Sequence, residues 1–232
     1  MHILPAAGNA VRFGGIPKYL LPSDFSGKSL LKTHIDAAMA IDSGNIVVMA
    51  HPSMHQYLKD YLSEYSSRLV VDKIESSTMT ETLIEGVARH GKPGEVISIT
   101  LPDSVTTGIK SGHFSTVLQE SRTKGNCLLL YPHLEDHRGK FGQVLVSRQT
   151  GTVEDIIDKS HDCNFPHIWG GISTTYETIV GFDRTEPTIG NCIKNSIKQG
   201  LTFYTSLSED RYYDCGNMKD YTDYLLSIKV ND

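Results

Sequence analysis

The sequence predicts an α/β fold of the Rossmann-like type, in three α/β/α layers around a mostly parallel, mixed sheet. The first observation is that short apolar runs alternate along the chain with amphipathic segments, as expected of βαβ units covered on both faces. The second is a change of pattern between Lys140 and Ser173, where strand-like segments follow one another without helices. This stretch predicts a β-rich insertion.

The individual elements follow from hydrophobic periodicity and from the residues that bound each run. Strands are predicted at "NIVVMA", "RLVVD", "EVISITLPD", "NCLLLYP", "FGQVLVS", "TVEDIIDKS", "PHIWGGIS" and "LTFYTS". Helices are predicted at 30–41, "QYLKDYLSEY", "TETLIEGVARHG", 114–121, 176–180 and 189–198. The segment "RYYDCGNMKDYTDYLLSI" begins extended and ends helical. Because no repeat or long linker interrupts the pattern, we expect one domain over residues 1–232.

Composition narrows the class of protein. The 232 residues carry 22 Lys and Arg against 27 Asp and Glu, a net charge of -5, without a basic stripe, so no nucleic-acid partner is expected. The sequence shows neither a run long enough to span a bilayer nor a signal-peptide pattern, which favours a cytoplasmic protein without a membrane partner. Four scattered cysteines, Cys127, Cys163, Cys192 and Cys215, are predicted to be free thiols.

The opening segment "ILPAAGNAVRFGGIPKYLLP" places two cations behind a glycine-bearing turn. Backbone N–H groups near Gly8 can approach an anion closely, Arg12 can fork onto phosphate oxygens, and Lys18 is a mobile point charge. The loop has neither GxGxxG nor GxxxxGK[ST], which argues against a dinucleotide fingerprint and a Walker loop. A plain turn with solvated cations is the alternative interpretation.

Two aspartates are candidates for metal ligands. Asp103 follows a predicted strand, and Asp214 stands near the start of the C-terminal segment. Mg²⁺ is usually held by one or two carboxylates together with substrate phosphates; the alternative role for either residue is a turn or a helix N-cap. The pairs His51/His55 and His133/His137 have zinc-like spacing, but a third ligand is not evident, so solvated or locally bonded histidines are expected.

The ordered set of motifs resembles sugar-1-phosphate nucleotidylyltransferases. "LPAAGNAVRFGGIPKYLLP" is similar to that family's L-A-A-G-x-G-x-R-hydrophobic-G followed by P-K-x-L-L-P, with Ala10 in place of a glycine. The segments "ESSTMTETLIEG", "ITLPDS", "GTVEDIIDKS", "WGGIS" and "YYDCGNMKDY" resemble later family motifs in the same order. Asp158 and Ser160 replace the Glu and Pro of Glu-Lys-Pro, and Asn217-Met218 replaces Thr-Pro.

The resemblance implies Mg²⁺-dependent transfer of a nucleoside monophosphate from an NTP to a sugar 1-phosphate, with release of pyrophosphate. It further implies a nucleotide-binding part over about 1–132 and a sugar-side part over about 133–182. The residues it implicates are Arg12, Lys18 and Asp103 for catalysis; Leu4, Ala6, Ala7, Gly8, Ser77, Thr78 and Thr80 for the nucleotide; Lys159, Trp169 and Gly171 for the sugar phosphate; and Asp103 and Asp214 for Mg²⁺.

Three alternatives remain open at this stage. The enzyme could be a cytidylyltransferase for a polyol or choline phosphate, or the chain could bind nucleotide-sugars without turnover. A Rossmann oxidoreductase is the third, weakened by the missing glycine fingerprint. Base and sugar depend on loop geometry and pocket shape, and the sequence allows a homo-oligomer.

Overall fold

The computed structural model describes residues 1–8, 15–41, 44–106, 123 and 125–229. The strands are β1 His2–Ala6, β2 Ile46–Ala50, β3 Leu69–Lys73, β4 Val96–Thr100, β5 Ser104–Thr106, β6 Asn126–Pro132, β7 Gly142–Val146, β8 Val153–Asp158, β9 His167–Thr175, β10 Phe203–Leu207 and β11 Tyr212–Asp214. The helices are α1 Leu30–Ala40, α2 His55–Tyr61, α3 Met79–His90, α4 Tyr176–Val180, α5 Ile189–Lys198 and α6 Met218–Lys229. The helix predicted at 114–121 lies outside the described residues.

The central sheet is mixed and mostly parallel, as predicted. Its strand order is β10-β6-β9-β4-β1-β2-β3, and β1, β2, β3 and β4 run parallel to one another. Strand β9 lies antiparallel between β4 and β6, while β10 pairs in parallel with β6. Strand β7 pairs with β9 and, on its other side, with β8, so the predicted β-rich insertion extends from the sheet.

Both faces of the sheet are buried, which explains the continuous apolar runs of the central strands. Successive side chains on a strand point to opposite faces. Ile3 and Val47 accordingly pack in a cluster with residues of α3 and α5, whereas Leu4 and Val48 pack in another with residues of α1 and α2. The helices therefore form a layer on each side, and the predicted three-layer architecture is confirmed.

Helix α3 shows how local sequence sets the helix bounds next to the site. Thr78 caps its N-terminus, its side chain accepting a hydrogen bond from Glu81 N at 3.1 Å, a contact that stabilises a helix by about 1 kcal/mol. The chain leaves the helix at Gly91, where a Cβ would lie 2.8 Å from the Val87 carbonyl oxygen. A larger residue there would displace the helix end.

The C-terminal segment returns to the region after β4 and forms a second, two-stranded sheet there. Strand β11 pairs antiparallel with β5, and α6 follows, packing Tyr221 and Tyr224 against Leu30 of α1. The sequence analysis predicted the extended start and the helix but did not predict β5. All four cysteines are free thiols, as expected. In the described part of the chain, no helix combines the length and apolar character needed to cross a membrane.

Candidate active site

A cleft of about 210 Å³ opens at the carboxyl ends of β1 and β4, where open α/β sheets bind their ligands. Three segments of the chain form its walls: the loop after β1, the N-terminus of α3 and the turn after β4. The lining residues are Pro5, Ala6, Ala7, Gly8, Pro17, Lys18, Tyr19, Ser76, Ser77, Thr78, Met79, Thr82, Leu101, Pro102 and Asp103. Most of the nucleotide-binding residues implied by the resemblance therefore share one cleft.

The hydroxyls of Ser77 and Thr78 are already engaged within the α3 N-terminus. Glu81 Oε2 accepts hydrogen bonds from Ser77 N at 2.8 Å and Ser77 Oγ at 3.0 Å. Thr78 is the helix cap. These two residues form part of the wall of the cleft. The N-terminus of α3, which carries the positive end of the helix dipole, faces the cavity.

Two of the implicated residues belong to the protein core. Leu4 is fully buried in β1 against α1 and α2, and Thr80 is fully buried in α3 with its hydroxyl 3.9 Å from Cys192 Sγ. Neither lines the cleft. Ser76, Met79 and Thr82, from the same turn and helix, line it instead.

Lys18 joins the first loop to the end of β4. The residue begins a short 3₁₀ turn after Pro17, and its ammonium nitrogen lies 3.3 Å from Asp103 Oδ2. Both side chains are partly exposed, at 23% and 31%, so this ion pair contributes little to folding stability. Its importance is positional, because it fixes a cation beside a candidate metal carboxylate.

The β5–β11 ladder brings the second aspartate to the same place. Asp214 lies opposite Ser104 in the ladder, and Cys215 N donates to the Asp103 carbonyl oxygen at 3.0 Å. The two aspartates, distant in sequence, thus stand on adjacent backbones. Gly216 is required here, since a Cβ would lie 2.8 Å from both carboxylate oxygens of Asp214.

The electrostatics of Asp214 reflect this crowding. Burial, and next the negative charge of Asp103, raise the pKa of Asp214 to about 6, against the opposing charge of Lys18. Asp220 raises it further and Lys140 lowers it. A partly buried carboxylate beside another carboxylate is stabilised in its charged form by any cation that binds there.

The donor set fits Mg²⁺. Asp103 and Asp214 offer hard carboxylate oxygens, which this ion prefers, and they are close enough for their charges to interact. Within the described residues, three or more His, Cys, Asp or Glu side chains do not gather into a metal cluster. Such a site relies on substrate phosphates and water for its other ligands, as is common for Mg²⁺.

A second cavity of about 390 Å³ adjoins the first and shares Lys18, Met79, Leu101 and Asp103 with it. Its other walls come from the β-rich insertion, the start of α5 and the end of β11. The lining residues outside the shared set are Ser104, Lys140, Phe141, Gly142, Asp158, Lys159, Trp169, Pro187, Thr188, Ile189 and Asp214. Lys18 and Asp103 therefore stand where the two cavities meet.

Lys159 and Trp169 both line this second cavity, whereas Gly171 does not. Lys159 has a left-handed backbone with φ of 51°, and its amide donates to the Phe141 carbonyl at 3.0 Å. The Trp169 indole N–H is buried without a hydrogen-bond partner among the described residues and packs on Gly142, where a Cβ would lie 2.2 Å from it. Gly171 is buried in β9, opposite Thr100 and Leu129.

Asp158 and Lys140 line the cavity as well, and the sequence analysis gave neither a role. Burial raises the pKa of Asp158, against a hydrogen bond from Thr188 and the charge of Lys159. Lys140 Nζ lies 2.8 and 2.9 Å from the carboxylate oxygens of Asp220. Asp220 belongs to the "YYDCGNMKDY" motif, which was the available signal for its place in the site.

The remaining candidates from the sequence are Arg12 and the four paired histidines. Arg12 lies outside the described residues. His51 bonds to Ser53 Oγ at 2.7 Å, and His133 Nδ1 to the Phe165 carbonyl at 2.8 Å. His55 contacts the Val71 carbonyl, and His137 Nδ1 accepts from Leu134 N. The partners of His51 and His137 are local, as expected, whereas those of His55 and His133 lie farther away in the sequence.

The site thus combines a cleft at the strand ends, a second cavity that adjoins it, and two aspartates near their junction, an arrangement consistent with a nucleotidyltransferase. Residues 2–161 match the family model of the MobA-like NTP transferase domain, and the chain belongs to that family. A comparison with curated protein sequences returns no match.

Solved structures share the fold over nearly the whole chain. A Bacillus anthracis protein assigned as a glucose-1-phosphate thymidylyltransferase, in complex with a sucrose, has a TM-score of 0.83 at 13% identity, covering 98% of this chain and 94% of its own. A UDP-glucose pyrophosphorylase complexed with UDP-glucose has a TM-score of 0.76 at 16% identity, covering 100% and 98%. A UTP-bound UGPase from Acinetobacter baumannii has a TM-score of 0.74 at 13% identity, covering 100% and 93%.

Proposed function

We propose that this nucleotidyltransferase moves a nucleoside monophosphate from an NTP to a sugar 1-phosphate, forming a nucleotide-sugar and pyrophosphate with Mg²⁺ bound. The observation that carries the proposal is the meeting of two cavities at Lys18 and Asp103, with Asp214 beside them. A transfer between two phosphorylated substrates needs two adjoining pockets and charge compensation at their junction. The named sugar-nucleotide structures of the same fold support this choice of substrates.

The nucleotide occupies the first cleft in this proposal, which assigns residues 1–132 to the NTP. The backbone of Ala6, Ala7 and Gly8 lines that cleft and leaves room for close approach of the nucleotide. Arg12, from the same loop motif, neutralises the departing pyrophosphate. The N-terminus of α3 adds a positive dipole at the opposite wall.

The sugar phosphate enters the second cavity, to which residues 133–182 contribute Lys140, Phe141, Gly142, Asp158, Lys159 and Trp169. Lys159 lines this cavity from the residue after β8 and pairs with the phosphate, while the Trp169 indole N–H supplies a buried donor for a ligand oxygen. The sugar phosphate oxygen attacks the α-phosphorus in line, forming a new P–O bond as the bond to pyrophosphate breaks. A covalent intermediate on the protein is not needed, so positioning and charge stabilisation supply the rate.

Charge repulsion is the main obstacle that the site must offset. Two unit charges about 4 Å apart repel by about 4 kcal/mol at an effective dielectric near 20. Lys18 stands between the cavities, where it contacts the α-phosphate and the incoming phosphate together. Bound Mg²⁺, held by Asp103 and Asp214, would neutralise phosphate charge at the same junction.

The test is a matrix of the four common NTPs against sugar 1-phosphates, with polyol and choline phosphates included, read by pyrophosphate release in Mg²⁺. We expect release with at least one sugar 1-phosphate and the matching nucleotide-sugar by mass spectrometry. The matched control is the Asp103→Asn, Asp214→Asn double variant, which keeps side-chain size and should be inactive. Release only with CTP and a non-sugar phosphate would replace the proposal, and binding without release from any pair would refute it.

A further inference from the structure

A chain of buried hydrogen bonds runs beneath the site from β1 to the turn after β4. His2 Nδ1 lies 2.7 Å from Ser98 Oγ, and His2 Nε2 lies 3.1 Å from Thr100 Oγ1. Thr100 Oγ1 lies 3.3 Å from His34 Nδ1, and His34 Nε2 lies 2.6 Å from the Ser104 carbonyl oxygen. All five residues are at most 5% exposed. Two buried histidines thus connect four elements, β1, β4, α1 and β5.

The direction of these hydrogen bonds follows from chemistry. Burial lowers the pKa of both histidines, that of His2 to about 3, so both rings are neutral and each has one donor and one acceptor nitrogen. His34 Nε2 faces a carbonyl and must donate, which leaves its Nδ1 to accept from the Thr100 hydroxyl. Thr100 Oγ1 then accepts from His2 Nε2, and His2 Nδ1 accepts from Ser98. The Ser98 hydroxyl has two possible acceptors, His2 Nδ1 at 2.7 Å and the Met1 carbonyl oxygen at 3.4 Å. We assign its proton to the shorter contact.

At its other end this chain of hydrogen bonds reaches β5, next to the two candidate metal carboxylates. Ser104 directly follows Asp103 and is the β5 residue opposite Asp214. The hydrogen bond from Cys215 N to the Asp103 carbonyl closes the same ladder. The hydrogen bond from His34 of α1 to the Ser104 carbonyl therefore connects the backbone beside both aspartates to the helical layer.

We propose that His34 is a positioning residue that, through the Ser104 carbonyl, holds Asp103 in register with Asp214 for metal binding. The inference rests on the proposed function, which supplies the Mg²⁺ site. It goes beyond that function because it names the residue that orients the carboxylates. Partners that orient metal ligands typically change metal affinity or activity about 10- to 100-fold when they are removed. His34→Leu leaves the buried Ser104 carbonyl unpaired, so the turn shifts to recover a hydrogen bond.

Variants separate positioning from simple stability. His34→Gln restores an N–H donor near the place of Nε2 and should rescue the loss in His34→Leu. Thr100→Val removes the hydroxyl that sets the His34 tautomer but keeps the side-chain shape. Ser98→Ala removes the hydroxyl at the far end of the chain and is the control. Thr100→Val removes hydrogen bonds to both histidines, whereas Ser98→Ala removes only a hydrogen bond to His2, so only Thr100→Val should alter metal binding.

Two readouts test the inference. In metal-free protein, ¹⁵N NMR should show His34 as the Nε2–H tautomer, and the backbone amides of Asp103 and Cys215 should shift in His34→Leu and return in His34→Gln. In the pyrophosphate assay, half-saturation by Mg²⁺ should rise about 10-fold or more in His34→Leu, and it should rise in Thr100→Val but stay unchanged in Ser98→Ala.

An Nδ1–H tautomer, unshifted Asp103 and Cys215 amides, or equal effects of Thr100→Val and Ser98→Ala on Mg²⁺ half-saturation would overturn the inference. The NMR readout keeps the two proposals apart. If wild-type protein releases no pyrophosphate from any pair, the proposed function fails, and the metal-free amide shifts still decide whether His34 positions Asp103.

Discussion

The Lys18 ammonium lies 3.3 Å from the Asp103 carboxylate across 85 positions of the chain. The loop after β1 and the end of β4 meet at this contact because β1 and β4 are parallel neighbours in the sheet. The same contact marks the junction of the two cavities. Changes to the charges at this point should therefore affect catalysis first.

Lys18→Ala and Arg12→Ala should each lower kcat about 100-fold or more, because each removes a cation that strengthens its contacts as charge develops on the leaving pyrophosphate. The measurement is steady-state pyrophosphate release, with circular dichroism to confirm folding. Lys219→Ala is the control, since Lys219 is an exposed residue paired with Asp223. A kcat close to that of wild type in folded Lys18→Ala would contradict the catalytic role assigned to Lys18.

Lys159→Ala should raise KM for the sugar phosphate much more than KM for the NTP, because Lys159 lines the second cavity and not the first. Both constants come from the same initial-rate series. Lys194→Ala is the matched control: Lys194 pairs with Asp155 on the neighbouring strand, away from the cavity. A selective rise in the NTP constant would show that the role is misassigned.

Asp103→Asn and Asp214→Asn should not have additive effects, because either change breaks the same metal site. We expect the double variant to be barely worse than the worse single variant. Wild-type activity should vanish with EDTA and return with Mg²⁺ or Mn²⁺. Independent losses that add, together with activity that survives EDTA, would favour two separate turn-capping roles.

The buried histidine His2 predicts a pH-dependent stability. Burial first, and then the charges of His34 and the N-terminus, lower its pKa from 6.5 to about 3 in the folded state. The unfolded chain then binds more protons, so stability is full above pH 6.5 and is lost as the pH falls toward 3. One such proton corresponds to about 1.4 kcal/mol per pH unit below the unfolded pKa.

Urea titrations between pH 6.5 and 5.5 measure this slope before most carboxylates protonate. His2→Gln should have a shallower slope than wild type, because it removes one of the two buried rings. Parallel pH profiles for wild type and His2→Gln would contradict the account of the buried network.

The sequence predicted the layers and the order of elements well, because apolar periodicity and caps are local signals. The position of Asp103 at the end of a strand was predicted from the same local signals. The pairing of β5 with β11 could not be foreseen, since each strand is only three residues long and its partner lies far away in the sequence.

Motif positions also do not reveal which way a side chain points. Leu4 and Thr80 belong to the matching segments, yet strand alternation and helix phase turn both into the core. Lys140 and Asp220, 80 positions apart, become a pair beside Asp214 only through the fold. The buried Trp169 N–H, which has no hydrogen-bond partner in the part of the chain that the structure describes, likewise owes its position to tertiary packing against Gly142.

The central claim is that the two cavities share one metal and phosphate site. Crystals grown with Mn²⁺ and the NTP selected by the assay test it through anomalous scattering. We predict one strong peak that contacts both Asp103 and Asp214, directly or through a single water, with phosphate oxygens on it and Lys18 beside them. A peak away from this pair, or carboxylates more than about 8 Å apart, would contradict the account.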